Sequence, residues 1–332
     1  MHLIIQIPCY NEAATLPEVI ADLPQALPGI SRLEALIIDD GSGDDTVAVA
    51  HRLGIDQVVR HSYNRGLAAA FQTGLETCLK LGADIIVNTD GDHQYPGAEI
   101  ARLVEPILAG QADIVIGDRQ THAVAHFSPL KRFLQQWGSW VVRLASGAPV
   151  PDATSGFRAY SREAALRMVI LTRYTYTLET IIQAGKKGLR VVSVPIQVNA
   201  PRRESRLIKS NWAYVKHSAA TIVRLYTLYE PLKTFTYLSL PFLLVGLALL
   251  ARFFYFYITG ATGVARYIQS IAVGGTSLTI GFLLIILGVI GDLIATNRLL
   301  IEETLYRTKR QELAAPPKIE QATEPVKEKS PW

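Results

Sequence analysis

Cysteine and charge are both scarce in this sequence. Its 332 residues include two cysteines, Cys9 and Cys78, which are too few for a disulfide framework or a cysteine-based metal site. A reducing compartment is therefore expected. Charged residues make up 19% of the chain and hydrophobic residues 49%, which excludes a disordered or collagen-like protein. No basic segment precedes the apolar residues 3–7, which run directly into Pro8, so no signal peptide is expected.

Residues 1–200 alternate short aliphatic runs with helical patterns. Apolar residues at spacings of three and four predict helices over residues 13–23, 45–53, 68–81 and 98–108. Between and after them, six runs predict strands at residues 3–7, 35–38, 57–59, 85–88, 114–116 and 191–194. Strands that are joined through helices form a largely parallel sheet covered by helices on its faces. An α/β domain is therefore expected over residues 1–205.

The composition changes after residue 200. Residues 202–233 hold seven lysines and arginines against two glutamates, with interleaved aromatic residues, which predicts basic amphipathic interface helices over 206–233. Residues 235–258 and 271–291 are apolar runs of about the 20 residues that cross a bilayer. A buried core helix is the alternative for one such run. Two in tandem predict a transmembrane hairpin, with helices over 234–258 and 271–295.

The distribution of charge predicts the orientation of this hairpin. The loop between the apolar runs has one basic residue, Arg266, whereas both flanks are rich in Lys and Arg. By the positive-inside rule, the α/β domain and both termini are expected on the cytoplasmic side of the inner or plasma membrane. The formal net charge of +4 lies mainly beside the hairpin, which favours membrane lipids over nucleic acid as the partner.

Two further features of the C-terminal part carry expectations. Residues 296–332 are predicted to be a cytoplasmic helix end followed by a disordered tail, because the tail is rich in proline and poor in apolar residues. Small residues in the second apolar run suit close helix packing and predict a homo-oligomer. These residues are Gly274, Gly275, Ser277 and Gly281.

Polar clusters follow the first two predicted strands. Residues 8–12 read Pro-Cys-Tyr-Asn-Glu, and residues 39–46 read Asp-Asp-Gly-Ser-Gly-Asp-Asp-Thr. In an open α/β sheet, ligands bind beyond the carboxyl ends of the strands, where these clusters lie. Acidic side chains beside a glycine turn suit hydrogen bonding to the base and ribose of a nucleotide. An ordinary Asx turn followed by a helix cap is the alternative.

The fourth predicted strand ends in two carboxylates that one glycine separates. Asp90 and Asp92 can converge on one hard divalent cation, and Gly91 allows the backbone to approach closely. Such a cation neutralises a diphosphate leaving group. A solvated turn is the usual alternative for this short pattern. Its position after two other polar strand ends favours the cation site here.

Taken in order, these motifs resemble those of the family 2 inverting glycosyltransferases. The matching segments are residues 8–12, 38–42, 64–66, 90–94 and 152–158. With the hairpin, the chain resembles the polyprenyl-phosphate branch, which includes dolichyl-phosphate mannose synthases and bactoprenol glucosyltransferases. The resemblance implies a GT-A fold, which is Rossmann-like with a mostly parallel sheet. It also implies inverting transfer of one sugar from a nucleoside diphosphate sugar to undecaprenyl or dolichyl phosphate, with UDP-glucose predicted ahead of GDP-mannose. The bacterial relatives suggest a tetramer.

The resemblance also implies roles for individual residues. The nucleotide sugar would be bound by Pro8, Tyr10, Glu12, Asp39, Asp40, Asp90 and Gly91. Mg²⁺ or Mn²⁺ would be held by Asp92 and Gln94. The acceptor phosphate would be bound by Arg119, Arg132, Arg202, Ser205 and Arg206. The implied catalytic residues are Asp92, Asp152 and Glu179.

Several of these roles have open alternatives. Asp152 is the usual general base of the family, but a phosphate acceptor is largely dianionic near neutral pH, so Asp152 could instead orient the acceptor. Glu179 could position the sugar or be a charge on a helix surface. His93 is interpreted as a packing residue and Arg158 as a brace of the Asp152 loop.

Two other functions are alternatives to this one. A membrane-anchored processive polysaccharide synthase needs more membrane than one hairpin, and the sequence has no Gln-x-x-Arg-Trp motif. A non-catalytic scaffold that binds sugar nucleotides is disfavoured by the intact Asp90, Asp92 and Gln94.

Overall fold

The computed structural model describes residues 1–120, 143, 146–147, 150–170, 176–199, 220, 223–224, 226–259 and 268–314. Its N-terminal part is built on a seven-stranded sheet in the order β3-β2-β1-β4-β6-β5-β7. The strands are β1 (His2–Cys9), β2 (Arg32–Asp39), β3 (Val58–Arg60), β4 (Ile85–Asn88), β5 (Ile114–Asp118), β6 (Arg158–Ser161) and β7 (Val191–Pro195). The six predicted strands are confirmed, and β6 is an additional one.

Among the described residues, six helices and a short 3₁₀ turn pack around this sheet. The turn spans Gly97–Glu99, and the helices are α1 (Leu16–Asp22), α2 (Thr46–Arg52), α3 (Leu67–Lys80), α4 (Ile100–Leu108), α5 (Arg162–Arg167) and α6 (Thr177–Lys186). Side chains alternate between the two faces of a strand, so β1 contributes to two cores. Ile4 packs with Phe71 of α3 on one face, whereas Ile5 packs with Leu103 of α4 on the other.

Strand direction sets where the polar strand ends meet. β1 is parallel to β2 and to β4, so Cys9, Asp39 and Asn88 finish at the same edge of the sheet. β6 runs antiparallel to both of its neighbours, β4 and β5. It therefore begins at that same edge, and the loop that precedes it enters the sheet beside the end of β4.

Two long helices follow the sheet domain. These are α7 (Pro231–Ile258) and α8 (Ile268–Ala314), with mean hydropathies of 1.9 and 2.5 over their most apolar windows. Both are long and apolar enough to cross a membrane. They pack antiparallel, since Gly274 lies against Gly246, and Gly288 lies against Phe235. They form a helical hairpin, and its insertion into a membrane stays a prediction.

The hairpin uses its small residues internally. A Cβ atom at Gly281 would come within 2.5 Å of the Leu243 side chain, and one at Gly274 within 3.1 Å of the Gly246 carbonyl oxygen. The expectation that Gly274 and Gly281 serve contacts between chains is therefore corrected, because α7 of the same chain already covers them. The homo-oligomer itself stays a prediction.

Helix α8 extends well beyond its apolar run. It continues without interruption to Ala314, so its 47 residues span about 70 Å at 1.5 Å per residue. The predicted second membrane helix, 271–295, is the first half of this longer helix. The predicted tail from residue 315 onward lies outside the described residues, as does most of the predicted interface segment 206–233.

Candidate active site

Hydrogen bonds tie the end of β1 to the end of β2. The Asn11 N–H donates to Ser42 Oγ at 2.8 Å, and the Gly43 N–H donates to Asn11 Oδ1 at 2.8 Å. Asn11 adopts a left-handed φ of 56°, which asparagine tolerates better than most residues. The Glu12 N–H donates to Thr46 Oγ1 at 2.9 Å. The two segments predicted to bind a nucleotide therefore form one polar surface.

The two aspartates that end β2 have different partners. Asp39 is buried, with Oδ2 lying 3.1 Å from Arg60 Nε. Asp40 is also buried, and it accepts hydrogen bonds from the N–H groups of Arg65 at 2.9 Å and Gly66 at 2.8 Å, with His61 Nδ1 2.7 Å away. Asp40 thus braces the loop after β3. The nucleotide-binding role of both carboxylates stays a prediction.

Gly91 brings the β1 motif and the β4 motif together. A Cβ atom at Gly91 would lie 3.1 Å from Cys9 Sγ and 3.3 Å from Glu12 Cγ, so only a glycine packs here without displacement. Thr15 Oγ1 bridges the same two segments, at 2.7 Å from the Gly91 carbonyl oxygen and 2.9 Å from Glu12 Oε2. Pro8 lies within β1. Tyr10, which follows the last residue of that strand, is exposed.

Asp90 and Asp92 concentrate negative charge at the end of β4. Burial, followed by the neighbouring Asp92 carboxylate, raises the pKa of Asp90 to about 7. Asp92 Oδ1 accepts a hydrogen bond from the Gln94 N–H at 3.1 Å, which holds the turn in place. Two carboxylates with too little compensating positive charge are a fitting donor set for a hard divalent cation.

The cation site would be completed by groups from outside the protein. Among the described residues, no group of three or more His, Cys, Asp or Glu side chains is placed to hold a metal ion. Mg²⁺ typically binds through one or two carboxylates together with substrate phosphates and water. Asp90 and Asp92 fit this arrangement.

An ion pair faces these carboxylates from the end of β5. Arg119 donates from Nε to Asp152 Oδ2 at 2.7 Å and from Nη2 to Asp152 Oδ1 at 3.1 Å. Nη2 also donates to Thr154 Oγ1 at 2.7 Å. Burial raises the pKa of Asp152, but the charge of Arg119 and hydrogen bonds from Arg119 and Thr154 outweigh it and hold that pKa below its ordinary value. Asp152 is therefore an ionised, paired carboxylate at neutral pH.

The loop that carries Asp152 is held from inside the protein. The fully buried Arg158 donates to the carbonyl oxygens of Ser155 at 2.8 Å and Ala153 at 3.0 Å, which confirms its role as a brace. Asn88 Nδ2 donates to the Gly156 carbonyl oxygen at 2.9 Å. The backbone of Gly156 packs directly against Asp90, because a Cβ atom there would lie 3.2 Å from Asp90 Oδ2.

Asn88 and Tyr176 belong to the site but carry little functional signal in the sequence. The Tyr176 hydroxyl lies 3.0 Å from Asn88 Nδ2, and its ring stacks on Phe71 at 3.9 Å between centroids. Nothing local distinguishes Tyr176 from an ordinary core residue. A polar side chain at the end of a buried strand was the one available signal, at Asn88.

The remaining predicted residues have mixed outcomes. Glu179 is fully buried in α6, so the alternative of a helix-surface charge is wrong. His93 turns toward α1, where Nε2 lies 3.3 Å from Asp22 Oδ2, which fits a packing residue. Four of the predicted phosphate-binding residues lie outside the described residues: Arg132, Arg202, Ser205 and Arg206.

Comparison with known proteins relates this chain to enzymes of one family. The model of the family described as "Glycosyl transferase family 2" matches residues 4–167. Polyprenol monophosphomannose synthase of Mycolicibacterium smegmatis is 30% identical over 204 residues, covering 58% of this chain and 76% of the relative. Undecaprenyl-phosphate mannosyltransferase of Micrococcus luteus is 30% identical over 207 residues, covering 59% and 83%.

A third relative has a different sugar in its name. UDP-N-acetylglucosamine–dolichyl-phosphate N-acetylglucosaminyltransferase of Methanococcus voltae is 29% identical over 212 residues, covering 58% of this chain and 83% of the relative. Among solved structures, glucosyl-3-phosphoglycerate synthase of Mycobacterium tuberculosis, in complex with Mn²⁺, UDP-glucose and phosphoglyceric acid, has a TM-score of 0.55. It is 22% identical, covering 68% of this chain and 79% of that one, a likeness that establishes the GT-A fold.

Proposed function

Because the chain belongs to glycosyl transferase family 2, we propose that it transfers a single sugar from a nucleoside diphosphate sugar to a polyprenyl phosphate at a membrane surface, with inversion of the anomeric carbon. One observation carries the proposal: the Asp90 and Asp92 carboxylates share a sheet edge with the Arg119–Asp152 pair, in a chain that also has two apolar helices. The relatives named for polyprenyl-phosphate sugar transfer support the same acceptor.

The donor side would be built on the ends of β1, β2 and β4. Pro8, Tyr10, Glu12 and Asp39 would contact the base and ribose, and Asp90 and Gly91 would lie near the diphosphate. Asp92, with Asp90 beside it and Gln94 as the predicted second ligand, would hold Mg²⁺ or Mn²⁺. The bound ion would neutralise the diphosphate as it leaves.

The acceptor side would be built on Arg119. The acceptor phosphate oxygen attacks the anomeric carbon, the new C–O bond forms on the face opposite the old one, and the nucleoside diphosphate leaves with the bonding electrons. Arg119 donates from Nε and Nη2 to Asp152 and Thr154. Nη1 makes no hydrogen bond among the described residues, so it can donate to a phosphate oxygen.

Asp152 would orient the acceptor phosphate and would not act as the base that deprotonates it. Its depressed pKa makes it a weak base, and a phosphate monoester with a second pKa near 6 supplies an oxygen that is already ionised. Positioning of the two reactants and compensation of their charges would then supply most of the rate. Glu179 is proposed to position the sugar from α6.

The cellular setting and assembly are part of the same proposal. The α/β domain and both termini would lie on the cytoplasmic side, where the lysines and arginines that flank the apolar runs meet anionic lipid. A homo-oligomer, a tetramer by analogy with bacterial relatives, is proposed without a defined interface. Crosslinking in native membranes tests it, and recovery of monomer alone would contradict it.

A radiolabel transfer assay tests the reaction and identifies the donor. Purified protein receives undecaprenyl phosphate, Mg²⁺ or Mn²⁺, and in separate reactions UDP-glucose, GDP-mannose or UDP-N-acetylglucosamine. We expect label in the organic phase from one donor, carried on a lipid with a single sugar, and loss of that label on chelation. A polymeric product would favour the processive synthase. Donor binding without transfer to any acceptor would favour the scaffold.

Substitution of Asp92 is the most direct mutational test of the proposed cation site. Asp92→Asn keeps the side-chain volume and removes the charge, so we expect transfer to be abolished in a protein that still unfolds at the wild-type temperature. Asp113→Asn is the matched control, because Asp113 precedes β5 at the opposite edge of the sheet and pairs with Arg190. An Asp92→Asn protein with near wild-type transfer would refute the assignment.

A further inference from the structure

Helix α6 has one end at the candidate active site. Tyr176, which precedes its first residue, lies with its hydroxyl 3.0 Å from Asn88 Nδ2. Arg158 donates from Nη1 to the Thr177 carbonyl oxygen at 2.8 Å and to Thr180 Oγ1 at 2.7 Å. Because Arg158 also braces the Asp152 loop, the first turn of α6 and that loop are held by the same guanidinium group.

The other end of α6 is bound to the base of the hairpin. Lys187, directly after its last residue, lies with Nζ 2.8 Å from Glu302 Oε2 of α8. Lys186 forms an ion pair with Glu230, directly before α7. Glu302 is 7% exposed and is also paired with Arg298, at 2.8 Å. A buried carboxylate with two cationic partners is costly to leave unpaired, which makes this contact specific.

Further along α8, a second contact joins the hairpin to the sheet domain. The Tyr306 hydroxyl donates to Glu163 Oε1 of α5 at 2.9 Å, and the Arg167 guanidinium carbon lies 4.8 Å from the centre of the Tyr306 ring. Tyr306 is 8% exposed and belongs to the same core cluster as Phe71 and Tyr176. The part of α8 beyond its apolar run therefore docks on the sheet domain instead of projecting into solvent.

We propose that α6 and the docked end of α8 form a rigid strut that sets the distance and orientation of the Asp152 loop relative to the membrane, with Lys187 and Glu302 as positioning residues. Gly291, the end of the apolar run, and Tyr306 are separated by 15 residues of one helix, or about 22 Å. An acceptor phosphate on a membrane lipid stays in the head-group plane, so the protein has to hold its site at that plane. An acceptor in free solution diffuses to the site and makes no such demand.

This inference rests on the proposed function, and it predicts a difference between two acceptors. The enzyme is reconstituted in vesicles and offered either undecaprenyl phosphate in the bilayer or a water-soluble five-carbon prenyl phosphate in the buffer. We expect Glu302→Gln to lower transfer to the bilayer acceptor about ten-fold or more, because displacements of about 1 Å have large effects on rate. Transfer to the soluble acceptor and the donor Kd should change by less than about two-fold, since the chemical groups are untouched.

The chain provides a matched control on the same helical turn. Glu303 pairs with Arg307 at 2.9 Å, and both side chains are exposed, so Glu303→Gln removes the same charge without touching the strut. It should behave as wild type with both acceptors. Lys187→Gln should reproduce the loss seen with Glu302→Gln, and the double variant should add little to either, because the two residues act through one contact. Tyr306→Phe, which removes one hydroxyl, serves as a milder second variant.

The outcomes separate this inference from the proposed function. Wild-type protein that transfers sugar to neither acceptor would overturn both. If wild-type protein transfers sugar, and Glu302→Gln and Tyr306→Phe transfer it to the bilayer acceptor at the wild-type rate, the strut proposal alone would be overturned. An equal loss with both acceptors, in a variant that still binds donor, would also overturn it. Selective loss with the bilayer acceptor supports it.

Discussion

Arg158 offers a test of how the Asp152 loop is held. This fully buried guanidinium donates to three backbone carbonyl oxygens, those of Ala153, Ser155 and Thr177. Arg158→Met keeps a long side chain but removes these three charge-assisted hydrogen bonds, although the Thr177 carbonyl oxygen keeps one from Thr180 Oγ1 at 3.1 Å. A hydrogen bond from a charged group contributes about 1.5–3 kcal/mol, so loss of the bonds to Ser155 and Ala153 alone should cost at least about 3 kcal/mol.

The magnitude converts to a measurable change in melting temperature. For a domain of about 200 residues, a loss of 1 kcal/mol lowers Tm by about 2–4 °C, so Arg158→Met should lower Tm by about 6–12 °C. Thermal unfolding of the detergent-solubilised protein, followed by circular dichroism, measures it. Transfer activity of the folded protein should also fall, because the freed loop no longer holds Asp152 against Arg119.

Arg162→Met is the matched control for this experiment. Arg162 also donates to a backbone carbonyl oxygen, that of Ala83 at 2.9 Å, but its side chain is only partly buried, so water can replace it. We expect its Tm to change by less than about 3 °C, in line with an ordinary hydrogen bond. An Arg158→Met protein that melts no lower than Arg162→Met would refute the reasoning.

Three further predictions concern the same site. In Arg119→Lys, the lysine cannot make the two-point contact with Asp152. We therefore expect kcat/KM for the acceptor to fall about a hundred-fold while the Kd for the donor stays the same. Arg190→Lys is the control and should change neither quantity. Gly156→Ala places a Cβ atom 3.2 Å from Asp90 Oδ2. Donor binding, measured by calorimetry, should weaken, and the protein should lose about 1–3 kcal/mol of stability. Unchanged donor binding would contradict the contact between Gly156 and Asp90. The pKa of Asp152 is depressed on folding, so its ion pair contributes stability above the unfolded pKa of about 3.9 and loses it as pH falls through the folded pKa. The Tm difference between wild type and Asp152→Asn should therefore be constant from pH 5 to 8 and shrink below about pH 4; a difference that grows toward low pH would contradict it.

The elements that could be predicted are those with a local signal. The six predicted strands are short, mostly apolar runs, and this pattern depends on local composition. The central strands β1, β4 and β5 are largely buried, as expected for strands that helices cover on both faces. The hairpin follows from the length of two apolar runs. The Asp90–Asp92 pair follows from two carboxylates placed directly after a strand, where an α/β sheet binds its ligands.

Strand β6 could not be predicted because its pairing is not local. Its four residues, Arg158–Ser161, include a charged and a polar side chain and have no apolar run. They form a strand because β4 and β5 present open edges on either side, and β4 lies about 70 residues earlier in the chain. The same pairing buries Arg158 where the loop carbonyls need a donor.

By itself, the amino-acid sequence determined the strand and helix pattern, the order of the motifs and the two apolar helices, since each depends on short-range spacing. Only the tertiary structure decided that Arg119 is paired with Asp152, that Glu179 is buried, and that the polar end of α8 docks on the sheet domain. These features depend on contacts between residues tens to hundreds of positions apart. Such contacts are selected by how the folded surfaces pack, and the spacing of residues along the chain carries no record of them.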